Sequence, residues 1–186
     1  MKRQIVLASQ SPRRRELLMQ CKISFTDVKP LGEEKIRKDI PLNEAIAELA
    51  LMKAESVLSR FPQAVIIGAD TIVVKDNKIL GKPKDEKDAF LMLRMLSGKR
   101  HTVITGVAVI SDEERTMFYD ETIVEFYPLS NDEINEYIKT KEPLDKAGAY
   151  GIHAGGGLFV KRIEGDYYSV MGLPIAPLYK ILQKYL

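Results

Sequence analysis

Short apolar runs alternate with amphipathic stretches along the whole chain, the pattern of an α/β protein. IVLA at 5–8 is apolar and β-branched enough for a buried strand, and PRRRELL after it predicts a helix with Ser11 as N-cap and Pro12 in its first turn. Residues 23–28 predict a second strand. From Asn43 the apolar positions Ile46, Leu49, Ala50, Val57 and Leu58 recur at helical spacing, Lys53 lies at the edge of their stripe, and the helix is expected to stop near Phe61-Pro62. AVIIGADTIVV at 64–74 predicts a buried strand broken at Gly68 and Asp70, with a hairpin turn at Asp76-Asn77 leading into KIL. Asp85 is placed to cap DEKDAFLMLRML, and Gly98 to end it. Two alternating segments, 101–111 and 115–127, predict an antiparallel pair, and Ser130 with Glu133 forms a capping box for a helix reaching about Thr140. The last third holds Gly148, Gly151, Gly155, Gly156 and Gly157, then a short strand LFVKRI and a final helix after Pro174.

Length and charge narrow the field. A chain of 186 residues suits a single domain over 1–186, and burying about 70% of the unfolded surface is enough to enclose a cleft. Lys and Arg number 28 against 26 Asp and Glu, a net of +2, so no overall basic field exists to hold a nucleic-acid backbone, and anion binding falls to local clusters. The single cysteine, Cys21, excludes an internal disulfide and fits a reducing compartment; its apolar helical surroundings favour an inert thiol over a nucleophile. The apolar run at the start is too short for a signal peptide and no stretch reaches membrane-spanning length, so the expected location is cytoplasmic, without membrane or nucleic-acid partners.

Candidate chemistry begins with Arg13, Arg14 and Arg15, cations at the end of a helix where backbone N–H groups and the dipole already present positive potential. Either an anion such as phosphate sits there, beside Ser9 at the end of the first strand, or the arginines fan into solvent. Asp70 follows an apolar run in which an ionised carboxylate is costly without partners. It is read as a metal ligand or a base that orients water, the alternative being an Asp that caps a turn, and Thr71 beside it lines the same place or serves as a β-former. Lys82, between Gly81 and Pro83, suits a phosphate oxygen but completes no P-loop. Glu34 and Lys53 are weak alone: a loop acid and an edge lysine. His101 and His153 show no metal-ligand spacing, and no G-x-S-x-G elbow is present. Serine, several cations and a few carboxylates without an evident nucleophile fit phosphoryl chemistry on a nucleoside triphosphate, whose roughly four negative charges need basic side chains and a divalent metal.

ASQSPRR at 8–14, GADT at 68–71, GKP at 81–83, LSGKRHTVITGV at 96–107, DKAGAYGI at 145–152 and GDYYSVMGLP at 165–174 together resemble the Maf family of nucleotide pyrophosphatases, nearly end to end. The resemblance implies an ITPase-like mixed sheet flanked by helices with a deep central cleft. It also implies cleavage of nucleoside triphosphates to monophosphate plus diphosphate, a requirement for Mg²⁺ or Mn²⁺, and a homodimer. By the same resemblance Asp70 is the proton acceptor, and Glu34 and Lys82 match polar positions of the family's cleft; on their own chemistry Asp70 and Glu34 hold metal or activate water, and Lys82 joins them in catalysis. Ser9, Arg13, Arg14 and Lys53 match positions that bind substrate. Arg13 and Thr71 are similar to the dTTP/UTP branch, whereas His153 stands where that branch usually carries glutamine, so an altered base preference is one expectation and a His153 turned away from the base is the other. Members are also described as septum-formation inhibitors, which keeps a nucleotide-responsive regulator with little turnover in view.

Overall fold

The computed structural model describes residues 3–32 and 35–186. In chain order these form β1 (Ile5–Ala8), α1 (Pro12–Gln20), β2 (Thr26–Val28), α2 (Leu42–Leu58), β3 (Val65–Lys75), β4 (Lys78–Leu80), α3 (Glu86–Leu96), β5 (Arg100–Ile110), β6 (Arg115–Phe126), α4 (Asn131–Lys139), β7 (Val160–Glu164), α5 (Tyr167–Met171) and α6 (Ile175–Leu182). The strands make one seven-stranded sheet in the order β2-β1-β3-β5-β6-β7, with β4 beside β3. β1 runs parallel to both β2 and β3, whereas β3–β4 and β6–β7 are antiparallel, so the sheet is mixed and its helices flank it. Every residue of β1 is buried, as a parallel strand covered on both faces requires.

The chain gathers into two compact units: one from Met1–Asp70, Thr105–Asp120 and Gly172–Leu186, the other from Thr71–Ile104 and Glu121–Met171. In the first, Val6, Ala8, Ala54, Val57, Ala64, Ile66 and Ile110 form a core that joins β1, β3, β5 and α2. α2 lies unusually close to the sheet. A Cβ on Gly68 of β3 would stand 2.1 Å from the Ala50 carbonyl oxygen, and one on Gly106 of β5 would stand 2.3 Å from that of Ile46. The two glycines therefore receive successive turns of one helix, whose buried positions include Ala45, Ala47, Ala50 and Ala54.

Several local expectations meet the structure directly. Asp85 accepts a hydrogen bond from Asp88 N at 2.8 Å, and the Ser130–Glu133 capping box is complete, with both reciprocal bonds present. Asp76 and Asn77 both adopt positive φ, 49° and 60°, the backbone of a type I′ hairpin turn. The 111–114 connection between β5 and β6, neighbours in the sheet, is closed by Ser111 N donating to Glu114 O at 2.8 Å.

Elsewhere the chain departs from expectation. β3 is one uninterrupted strand: Gly68 marks the close approach of α2, and Asp70 is held by a lysine partner. The second strand covers only Thr26–Val28, because Lys22 turns the chain at φ 55° before it reaches the sheet. α2 starts at Leu42 and ends at Leu58, and hydrogen bonds from Arg60 N to Val57 O and Phe61 N to Leu58 O tighten the exit before Pro62. Ser11 occupies the N-cap position without a side-chain capping bond, and the short α5 lies where the sequence pattern predicts no element.

In the second unit, His101, Phe126, Tyr150, Phe159 and Tyr137 form a chain of edge-to-face rings with centroids 4.8–5.9 Å apart. His101 Nε2 lies 2.8 Å from the Tyr150 hydroxyl, and Nδ1 meets no hydrogen-bond partner among the described residues. Burial, helped by the Lys75 cation, pushes the His101 pKa down from 6.5 to about 4. The unfolded chain thus binds a proton between those values that the folded chain refuses, so folding stability is lost as pH falls through this window. The expected loss by pH 4 is about 3 kcal/mol from this residue. Urea unfolding of wild type and His101→Phe across that range checks it: the variant should lack this part of the slope, and an unchanged slope refutes the assignment.

Candidate active site

β1 ends at Ala8, in register with Gly68 of the parallel neighbour β3, so Ser9, just past the end of β1, and Asp70, inside β3, both follow the same paired position within two residues. Ser9 is buried, and its Oγ accepts hydrogen bonds from Ser11 N at 3.1 Å and from Arg14 Nη1 at 3.2 Å. Two acceptances leave the hydroxyl's own O–H as its remaining donor. Arg14 is not a solvent-facing arm: it is 9% exposed, and its Nε donates to the Gly172 carbonyl at 2.8 Å. Arg13 is half-buried beside it, and Arg15 is drawn away to Asp27 of β2 at 2.7 Å. No acidic residue offsets these cations in the first turn of α1. The helix N-terminus and the fixed guanidinium of Arg14 therefore present positive charge together, at the end of the strand that leads to Ser9.

The second pair stands nearby in the same unit. Lys53 lies on α2 between Ala50 and Ala54, the residues that press onto Gly68, and its Nζ forms an ion pair with Asp70 Oδ1. The two side chains are only 10% and 13% exposed. The close helix–strand approach thus carries an ammonium to the carboxylate that β3 would otherwise bury alone, and each offsets the other's desolvation. The edge lysine of the helical stripe is a buried partner of the strand's only acid.

Three more of the expected residues belong to the second unit. Thr71, half-buried, follows Asp70 in β3. Lys82 is exposed on the loop after β4, where Gly148 N donates to the Gly81 carbonyl at 3.1 Å and Pro83 is buried. His153 is exposed on a turn closed by Ala154 N donating to Gly151 O at 3.3 Å. Glu34 lies outside the described residues. Among the described residues no group of three His, Cys, Asp or Glu side chains assembles a protein-only metal cage. The Gly172 carbonyl that fixes Arg14 escaped the sequence, since a backbone acceptor leaves no side-chain signature.

The family profile described as "Maf-like protein" matches residues 4–185. The chain belongs to the Maf family. The dTTP/UTP pyrophosphatase of Bacillus pumilus (strain SAFR-032) is 50% identical over 182 residues, 98% of this chain and 96% of that protein. That of Bacillus velezensis is 48% identical over 185 residues, 100% of this chain and 98% of the relative. Among solved structures, the Staphylococcus aureus Ham1 protein is similar with a TM-score of 0.45 and 14% identity over 66% of this chain and 71% of that one. No helix among the described residues is long and apolar enough to cross a membrane.

Proposed function

We propose that this Maf-family protein hydrolyses the α–β phosphoanhydride bond of pyrimidine nucleoside triphosphates, dTTP and UTP above all, releasing diphosphate. The carrying observation is the pairing of Lys53 with Asp70 beside the Ser9–Arg14 contact at the cation-rich first turn of α1. The relatives named dTTP/UTP pyrophosphatase, aligned over nearly the whole chain, supply the reaction class.

In this reading Ser9 O–H and the amides of the α1 first turn donate to phosphate oxygens. Arg13, Arg14 and Lys82 balance the charge that builds on the departing diphosphate. Lys53 fixes Asp70, which takes the proton of the water attacking the α-phosphorus. Thr71 and His153 are assigned to recognition of the base by the resemblance to the dTTP/UTP branch. Asp70 and Glu34 suit Mg²⁺ or Mn²⁺, ions held through one or two carboxylates and completed by substrate oxygens. When bound, the cation neutralises polyphosphate charge and acidifies water. The protein acts in the cytoplasm as a homodimer, removing unwanted pyrimidine nucleotides.

The test is diphosphate release from dTTP, UTP, CTP and 7-methyl-GTP, with Mg²⁺ or Mn²⁺ and with chelator, for wild type and His153→Gln. Metal-dependent release favouring dTTP and UTP is the expected result. Tight nucleotide binding without metal-dependent release by wild type overturns the enzyme in favour of a nucleotide-responsive regulator. An unchanged substrate ranking in His153→Gln removes His153 as a selector.

A further inference from the structure

The turn that carries His153 is gripped at both ends by one pair of side chains. Lys141, in the left-handed region at φ 63°, bends the chain after α4 and returns Glu142 to Tyr137 in the last turn of that helix. The Tyr137 hydroxyl donates to Glu142 Oε1 at 2.6 Å and accepts from Gly151 N at 3.1 Å. Glu142 Oε2 accepts from Gly155 N at 3.1 Å, and Oε1 is also approached by Gly156 N at 3.5 Å. His153 lies midway between the two tethered glycines.

The backbone of this segment is seated on the same side chains. A Cβ on Gly156 would lie 2.9 Å from the Tyr137 hydroxyl oxygen, and one on Gly151 would lie 2.6 Å from Lys146 Cε and 3.2 Å from His153 Cε1. Lys146, itself buried, donates from Nζ to the Glu142 carbonyl and to Asp145 Oδ1, each at 2.7 Å. Tyr137 is braced edge-to-face by Phe159 at 5.0 Å. Burial and the Glu142 carboxylate together push the Tyr137 phenol well above its ordinary range, so the hydroxyl keeps its proton and remains both donor and acceptor.

We propose that Tyr137 and Glu142 are positioning residues that set base preference by fixing the Gly151–Gly155 turn on which His153 is presented. The inference rests on His153 facing the base. None of the hydrogen bonds of the Tyr137–Glu142 pair given above reaches Ser9, Arg14, Lys53 or Asp70, so its loss acts on recognition of the base and leaves the phosphate chemistry in place. The amide dipoles of Gly151 and Gly155 are oriented by one hydroxyl and one carboxylate; without the hydroxyl the turn samples other placements of the imidazole.

The experiment compares wild type, Tyr137→Phe, Glu142→Gln, His153→Ala and the Tyr137→Phe/His153→Ala double variant. It reads kcat and KM for dTTP, UTP and CTP with Mg²⁺, and equilibrium Kd for the same nucleotides in chelator, with thermal melting to confirm folding. Tyr137→Phe is expected to raise KM and Kd for the preferred base roughly tenfold with kcat within about twofold, and to add nothing to the ranking already lost in His153→Ala. Glu142→Gln, which keeps the size of the side chain, should shift the ranking in the same direction and decides the matter if Tyr137→Phe fails to fold. A ranking changed by His153→Ala but preserved in the folded positioning variants overturns the proposal alone. A ranking unchanged in His153→Ala removes the reading of His153 and the proposal with it. The Kd ranking is read even where turnover is absent, so failure of the enzymatic reading is seen separately.

Discussion

Asp70→Asn is expected to lower diphosphate release by about a thousandfold or more while the protein still folds. The amide matches the carboxylate in shape and can still accept a hydrogen bond from Lys53, so the contact between α2 and β3 survives as a neutral-to-cation bond. What disappears is the negative charge: the amide neither takes a proton from water nor holds a divalent cation. The stability cost is smaller than the catalytic one. Breaking a fully buried pair by deleting one partner costs about 3–5 kcal/mol, whereas a substitution that keeps the acceptor in place should cost about 1–2 kcal/mol. Diphosphate release with saturating dTTP and Mg²⁺, alongside a thermal melt, separates the two effects. Turnover within tenfold of wild type in a folded Asp70→Asn protein removes Asp70 from the chemistry. Lys53→Met is the companion: it leaves the acid in place and withdraws the ammonium that steadies it, so the defect should be large in stability as well as in turnover.

The contrast between these two residues shows what the sequence could disclose. Asp70 stood out because an acid after an apolar β-branched run needs a reason. Lys53 did not, because its partner comes from another element and the pairing depends on how closely α2 packs on β3, a tertiary fact. Features set by neighbours in sequence were legible: the Ser130–Glu133 capping box, the Asp85 cap and the Asp76-Asn77 turn each depend on a few consecutive residues. The same logic failed at Gly68, where a glycine followed by an acid suggested a broken strand. The strand continues, since a missing side chain there is a place for a helix backbone. In the glycine-rich segment after Gly148 nothing local marks Tyr137 and Glu142 as the groups that hold it.

Gly68→Ala is expected to cost about 3 kcal/mol or more, or to prevent folding, although it adds only one methyl group. The added carbon would stand 2.1 Å from the Ala50 carbonyl oxygen and 3.0 Å from both Ala54 N and Ala54 Cβ. Those neighbours are backbone and a short side chain on a well-formed helix, so no rotamer change relieves the contact. The alternative is to lift α2 off the sheet, and that lift opens the Val6, Ala54, Val57 and Ile66 core along its length. Gly106→Ala should behave alike, since the same helix lies 2.3 Å from its absent Cβ one turn earlier. Gly81→Ala is the control: nothing lies within 4 Å of its Cβ position, and the change should stay within about 0.5 kcal/mol. Urea unfolding of the three variants reads the difference directly. A Gly68→Ala protein within 1 kcal/mol of wild type, on the scale of an ordinary surface change, would mean that α2 can withdraw without penalty. Lys53 rides on that helix between the two alanines that meet Gly68, so a withdrawal cheap in stability would still move the ammonium away from Asp70 and register as lost turnover.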